Sequence, residues 1–304
     1  MTAHEFRALF DAVSNWGRWH DGGQRGALNL LTPACVVRAA RLVRSGVTVT
    51  LSRALATEAR IDVPQPADHR MTMLTDEDIG SGSVRFAKDY VGLDYHNEGH
   101  THIDAFSHVA FDGSFFDGKP EASVTADGAH AGAIDILKDG LVGRGVLLDV
   151  PRARGVAWLE PGEHVFRDDL EAAERLQGVT VTAGDILLVR TGHVRRLREL
   201  GPWDTAKAKA GLHPTTALFL AERQISVLGS DGNNDTAPST TEGVAFPMHV
   251  LALNAMGVHL LDYLQFEDVV PRCEAAGRWE FLFAAAPLRI VGGTGSPLNP
   301  VAIF

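Results

Sequence analysis

Three short apolar runs constrain this chain more than any other feature: GVLLDV (145–150), GDILLVRTG (184–192) and ISVLGSDG (225–232). Each is aliphatic through its middle and stops at turn residues. A strand with one wet face alternates polar and apolar residues. These runs do not alternate, so they read as interior strands covered on both faces. Candidate helices lie at 167–177 (RDDLEAAERLQ), 214–224 (PTTALFLAERQ) and 247–256 (PMHVLALNAM), and FLFAAAPLRIVGG (281–293) reads as a late strand. Strands and helices mix without a strict βαβ rhythm. The pattern predicts an α/β fold in one domain over residues 1–304, with a mixed sheet curled toward a barrel.

Ahead of these runs the signals differ. Residues 4–14 form an amphipathic pattern, and the glycine- and tryptophan-rich NWGRWHDGGQRGALNLLTP (15–33) reads as an ordered loop. Thr32 before Pro33 is a good N-cap and first-turn pair, predicting a helix over 33–44. VTVTLSRAL (47–55) alternates and is β-branched, as a strand is. The polar, glycine-rich stretch 56–82 is long for a passive connection and is expected to cover a substrate. Two strands are expected between 84 and 109.

Composition narrows the partners. The net charge of −10 opposes binding to a polyanion, so nucleic acid is not an expected partner. A small anionic substrate stays possible, because a metal or a local arginine overrides the global field. The two cysteines, Cys35 and Cys273, form no CxxC pair and read as buried thiols. The start, MTAHEFRALFDAVSNWG, lacks a basic segment followed by a long apolar run, so no signal peptide is expected. No apolar stretch approaches the roughly 18 residues of a membrane span, and the cytoplasm is the expected location.

The chemistry is concentrated in HNEGHTHIDAFSH (96–108), which holds four of the chain's 13 histidines. On a strand over 96–104, His96, Glu98, His100, His102 and Asp104 would share one face. Neighbours two apart on that face stand about 7 Å apart, close enough to grip one ion. Imidazole and carboxylate together suit Mn²⁺, Zn²⁺ or Fe²⁺. A cation also explains how so many polar groups cluster without a heavy desolvation cost. His96, His100, His102 and Asp104 are the candidate ligands, with His96 or His100 preferred to Glu98. His108, just past the strand, is the candidate general acid/base. Farther on, His249 follows Phe246-Pro247 at a helix start, and Asp262 ends the apolar VHLLD. Either would complete a metal sphere or serve as a cap or turn residue. DGNND (231–235) lacks the later glutamate of a calcium loop and reads as a turn. GGTG (292–295) has no helix after it, so a phosphate role is weak.

These residues resemble a known family. THIDAFSH (101–108) resembles the signature H-x-G-T-H-x-D-x-P-x-H of the metal-dependent cyclase family, which includes bacterial kynurenine formamidases and isatin hydrolases. NWGRWHDGGQRGALNLLTP, GDILLVRTGH, FPMHVLALNAMGVHLLDYL and GGTGSPLNPVAIF are similar in order and spacing. The resemblance implies a swivelling α/β fold with a barrel-like sheet, a homodimer or homotetramer, and one or two divalent ions, Mn²⁺ or Zn²⁺. It implies His102 and Asp104 as ligands, His108 as acid/base, His249 as the distal histidine, and Asp262 where the family often has glutamate. Two departures stand out: Glu98 occupies the place of the family's first histidine ligand, and Phe106 that of its proline. The implied reaction is hydrolysis of a formamide, cyclic amide or lactone, a small-molecule substrate attacked by water that a metal activates.

Two other readings compete. His102-x-Asp104 with a distant His249 matches the two-histidine, one-carboxylate triad of non-haem Fe(II) oxygenases. That reading leaves His96, His100 and His108 without a role. A non-catalytic metal- or ligand-binding relative is the third reading. Turnover of simple amides or lactones discriminates among the three.

Overall fold

The interior runs form neighbouring strands. In the computed structural model, which describes residues 1–20, 24–73 and 86–304, nine strands make one mixed sheet. They are Thr48–Thr50 (β1), His102–Asp104 (β2), Leu141–Asp149 (β3), Ile186–Arg190 (β4), Val227–Ser230 (β5), His259–Asp262 (β6), Glu280–Ala285 (β7), Gly295–Pro297 (β8) and Val301–Ile303 (β9). Their order is β1-β9-β7-β3-β4-β5-β6-β2-β8. The middle four, β3 to β6, are parallel, and every pairing outside them is antiparallel. All residues of β4 and β5 and of Gly145–Asp149 in β3 are buried, as the absence of alternation predicted, and so are all of β6. Each buried aliphatic side chain there contributes roughly 1.5–3 kcal/mol relative to exposure. The sheet curls into a half-barrel flanked by helices, so the expected α/β class holds.

Helix Ala3–Val13 (α1) forms where predicted. Thr2 and Glu5 make a reciprocal cap, and Phe6, Leu9, Phe10 and Val13 fill its buried face. Arg167–Gln177 also matches its prediction. Other boundaries need correction. The helix from Pro33 stops at Ala40, because the following chain turns back: Ser45 N and Gly46 N both bond to Phe304 O. VTVTLSRAL gives only the three-residue β1, which pairs with β9. The stretch 56–82 is not all loop, since Asp68–Met73 pairs with Lys88–Gly92 as a hairpin. Residues 74–82 of that expected covering loop, with 83–85 after it, lie outside the described residues. The late strand ends at Ala285, short of Pro287.

Helix 247–256 begins as an α-turn at Pro247–His249 and continues as a π-helix, Val250–Met256. π-Turns are rare and concentrate at functional sites. The loop after β5 has a defined task. Asp231 accepts four hydrogen bonds, from Thr191 N at 2.7 Å, Thr191 Oγ1 at 2.8 Å, Gly192 N at 2.8 Å and His193 N at 2.9 Å. It thereby ties the ends of β4 and β5 together and caps the helix that starts at His193. The carboxyl ends of parallel strands are where α/β sheets place ligands, and the polar groups collect there.

Candidate metal centre

Strand pairing sets the first three groups. His102 and Asp104 lie two apart on β2 and share a face, while Ile103 between them is fully buried. The register pairs Asp262 with His102, so Asp262 stands beside His102 on that face. Asn234 Nδ2 donates to Asp262 Oδ1 at 2.6 Å, leaving Oδ2 turned to the centre.

Histidine orientation follows from what each Nδ1 meets. The Asp235 carboxylate accepts from Met248 N at 2.6 Å and His249 N at 3.2 Å, and lies 2.6 Å from His249 Nδ1. His249 Nε2 is then aimed inward, 3.4 Å from Asp104 Oδ2 and 3.3 Å from Asp262 Oδ2. His102 Nδ1 lies 2.8 Å from the carbonyl oxygen of His100. Its Nε2 also points inward, 3.5 Å from Asp104 Oδ1 and 3.9 Å from Asp262 Oδ2. With Nδ1 assigned as the donor in each ring, Nε2 offers a lone pair, as metal-binding histidines do.

His96 reaches the cluster by a different route from the one its spacing suggested. Only 102–104 is strand; residues 96–100 bend and turn. Local side-chain bonds break the alternation: Asp94 Oδ1 accepts from His96 N at 3.2 Å, and Asn97 Oδ1 accepts from Gly99 N at 2.8 Å. The turn nonetheless brings His96 Nδ1 to 2.9 Å from Asp104 Oδ1. Its Nε2 sits 3.1 Å from Thr294 Oγ1. The GGTG segment is thus a wall of this site, and Gly295 is needed there. A Cβ on Gly295 would lie 2.5 Å from Ile103 O and 2.8 Å from His96 Cε1. His108 stacks on His96, with centroids 3.8 Å apart and planes 3° apart.

The expected five-donor face is therefore corrected. The ligand atoms of His96, His102 and Asp104 lie within 4.8 Å of one another, as do those of Asp104, His108 and His249. Asp262 joins through the contacts above. His100 is not in either group; its contribution is the carbonyl that orients His102. Glu98 is not in them either. It lies 3.7 Å from Lys209 Nζ.

The donor set fits a cation. Asp104 is fully buried, yet neither of its oxygens accepts an aligned hydrogen bond, and His96 Nδ1 is likewise unpaired. An orphaned buried carboxylate is costly unless something else satisfies it. His96 Nδ1 to Asp104 Oδ1, at 2.9 Å, is within hydrogen-bond distance, but three further nitrogen–oxygen separations, 3.3 to 3.5 Å, are long for hydrogen bonds. Donors held roughly 2.1 Å from one ion stand about 3.0 to 3.4 Å apart.

Burial and the mutual attraction of imidazoles and carboxylates set the electrostatics of the cluster. Burial opposes ionisation of Asp104, but the imidazoles of His108, His102, His249 and His96 outweigh it and hold the carboxyl well below its usual range. Burial also opposes a charge on His249. The carboxylates of Asp262, Asp104 and Asp235 outweigh it and raise its pKa well above the usual value. At His108 burial wins over the attraction of Asp104, pushing the imidazole down to about 4.

A pocket of about 140 Å³ opens onto these groups, with Val109, Phe246 and Tyr263 as its apolar and aromatic walls. Sequence reasoning missed Asp235, Asn234, Thr294 and Lys209. The first two sit in DGNND, directly after an interior strand, which was the available signal. Thr294 and Lys209 carry no local one.

Comparison with known proteins agrees with the fold. The family model described as "Putative cyclase" matches residues 61–234. A solved structure described as a novel cyclase is 32% identical, covers 96% of this chain and 99% of its own, and superposes with a TM-score of 0.87. Isatin hydrolase A from Labrenzia aggregata, bound to benzyl benzoate, is 20% identical over 88% of this chain and 96% of its own, with a TM-score of 0.60. A predicted metal-dependent hydrolase from Bacillus stearothermophilus is 19% identical over 84% and 97%, with a TM-score of 0.51. Among curated proteins none matches.

Proposed function

We propose that this chain, which belongs to the cyclase family, is a metal-dependent hydrolase of a small carbonyl compound: a formamide, a cyclic amide or a lactone. The observation that carries this reading is Asp104. It is a buried carboxylate with no aligned hydrogen bond to either oxygen, ringed by the imidazoles of His96, His102, His108 and His249, which line a pocket. His102, Asp104, His249, Asp262 and His96 would hold a divalent ion, Mn²⁺ or Zn²⁺. Such an ion polarises a carbonyl and makes water a nucleophile near neutral pH.

The chain's own residues supply the rest. Asp235 and the His100 carbonyl fix the rings of His249 and His102, so little reorganisation is needed when a ligand arrives. Burial pushes His108 down to about 4, so its ring is neutral near pH 7 and keeps a lone pair that can take the proton of the attacking water. It then returns the proton to the leaving nitrogen or oxygen. Val109, Phe246 and Tyr263 exclude water from the substrate's apolar side. The relatives named as isatin hydrolases and metal-dependent hydrolases support hydrolysis. Five convergent ligand residues also exceed the three of an oxygenase triad.

A homodimer or homotetramer belongs to the same proposal. The hairpin Asp68–Met73/Lys88–Gly92 exposes Met71, Tyr90 and Val91, and a two-stranded hairpin has little stability alone. The test of the function is hydrolysis of matched formanilide, cyclic amide and aryl lactone probes by metal-loaded and metal-stripped protein. Turnover confined to the loaded protein is expected. Iron- and oxygen-dependent oxidation in its place would overturn the reading.

A further inference from the structure

Glu98 lines the same pocket as His96, His102, His249 and Asp262, yet it stays outside the groups that converge on Asp104. A carboxylate is a good ligand for a divalent cation, so its exclusion needs a cause. Lys209 supplies one. Its side chain is 2% exposed, and its Nζ lies 3.7 Å from Glu98 Oε1.

Lys209 is not free to swing. Its backbone exchanges two hydrogen bonds with Ala237, each of 3.0 Å. Nζ donates to the Tyr263 hydroxyl at 3.1 Å. With the Asn233 amide turned so that its oxygen faces the ammonium, Nζ donates there at 2.9 Å. Tyr263 is itself pinned. Its N–H donates to Gly232 O at 2.7 Å, and its carbonyl accepts from Thr101 Oγ1 at 2.6 Å. It is held at a φ of 53°, a conformation rare for a bulky residue. A buried ammonium in so fixed a place needs counter-charge; Glu98 attracts it most, ahead of Asp262 and Asp235, and is the one carboxylate within 4.0 Å among the described residues.

We propose that Lys209 is a positioning residue for the metal centre: it holds Glu98 in the pocket wall, so that histidines and aspartates alone bind the ion. This rests on the metal reading above. The charge of Lys209 thus selects the ligand set, and His96 fills the place that Glu98 is kept from.

Cobalt(II) added to the metal-stripped full-length protein tests this without turnover, because its visible absorption reports the ligand set. Glu98→Gln is expected to bind cobalt with wild-type affinity and spectrum. Lys209→Met is expected to change the spectrum and tighten binding roughly tenfold, the scale of outer-layer effects on metal affinity, as Glu98 joins the ion. The double variant Lys209→Met/Glu98→Gln should return to the wild-type spectrum, and Lys209→Arg should retain it. Loss of cobalt from Glu98→Gln, or a wild-type spectrum and affinity in Lys209→Met, overturns the proposal. Glu98→Gln decides alone if Lys209→Met does not fold. Wild-type protein that binds no cobalt overturns the metal centre itself.

Discussion

The Asp235 carboxylate lies 2.6 Å from Nδ1 of His249, and this contact decides which nitrogen of that ring faces Asp104. Asp235→Asn keeps the shape but weakens the hold on the tautomer. Metal affinity is expected to fall about 10- to 100-fold, the usual cost of losing such a partner. Equilibrium dialysis of Asp235→Asn against Zn²⁺ checks it; wild-type affinity would mean the contact is only structural.

His108 is the second case. His108→Ala should lose roughly 10²- to 10⁴-fold in turnover while keeping its metal and fold. Metal analysis beside a steady-state assay separates the two roles that the geometry allows. Lost metal would make His108 a ligand, and intact turnover would remove it from the chemistry.

Protons compete with the ion. The raised pKa of His249 keeps its imidazolium in the metal-free site above the usual titration range. A cation must displace that proton, so affinity should fall as pH falls, with about one proton released per ion near neutrality. The sign for stability is the reverse. A group whose folded pKa is raised stabilises the metal-free fold fully below its unfolded pKa, and that contribution is lost as pH rises through the folded value. Calorimetric metal titrations in buffers of different ionisation enthalpy count the protons. No release would contradict the assignment.

Legibility in the sequence varied with how local the cause was. The interior strands were readable because burial on both faces removes alternation. His102 and Asp104 were readable because a two-residue period fixes a face. His96 was proposed on strand phase, but a turn set by Asp94 and Asn97 delivers its ring. That turn also removes His100 from the face. Asp235 meets His249 across 14 residues and Lys209 meets Tyr263 across 54, and no short-range pattern encodes such meetings. The π-helix Val250–Met256 carries no signal of its own, because its apolar composition is that of an ordinary buried helix.

Asp231 carries a stability prediction. Removing a carboxylate that accepts four bonds leaves buried donors unpaired, at about 1–3 kcal/mol for each stranded group. Asp231→Ala should therefore lower unfolding free energy by several kcal/mol in urea titration. A change within experimental scatter would show that water replaces the carboxylate.

The central claim is that Asp104, His102 and His249 hold a divalent ion. Anomalous diffraction from crystals of the purified protein, recorded across the manganese and zinc absorption edges, tests it most directly. The account predicts a peak within bonding distance of an Asp104 carboxylate oxygen and of His102 Nε2 or His249 Nε2. A well-ordered cluster with no peak, or a peak held by other residues, would contradict it.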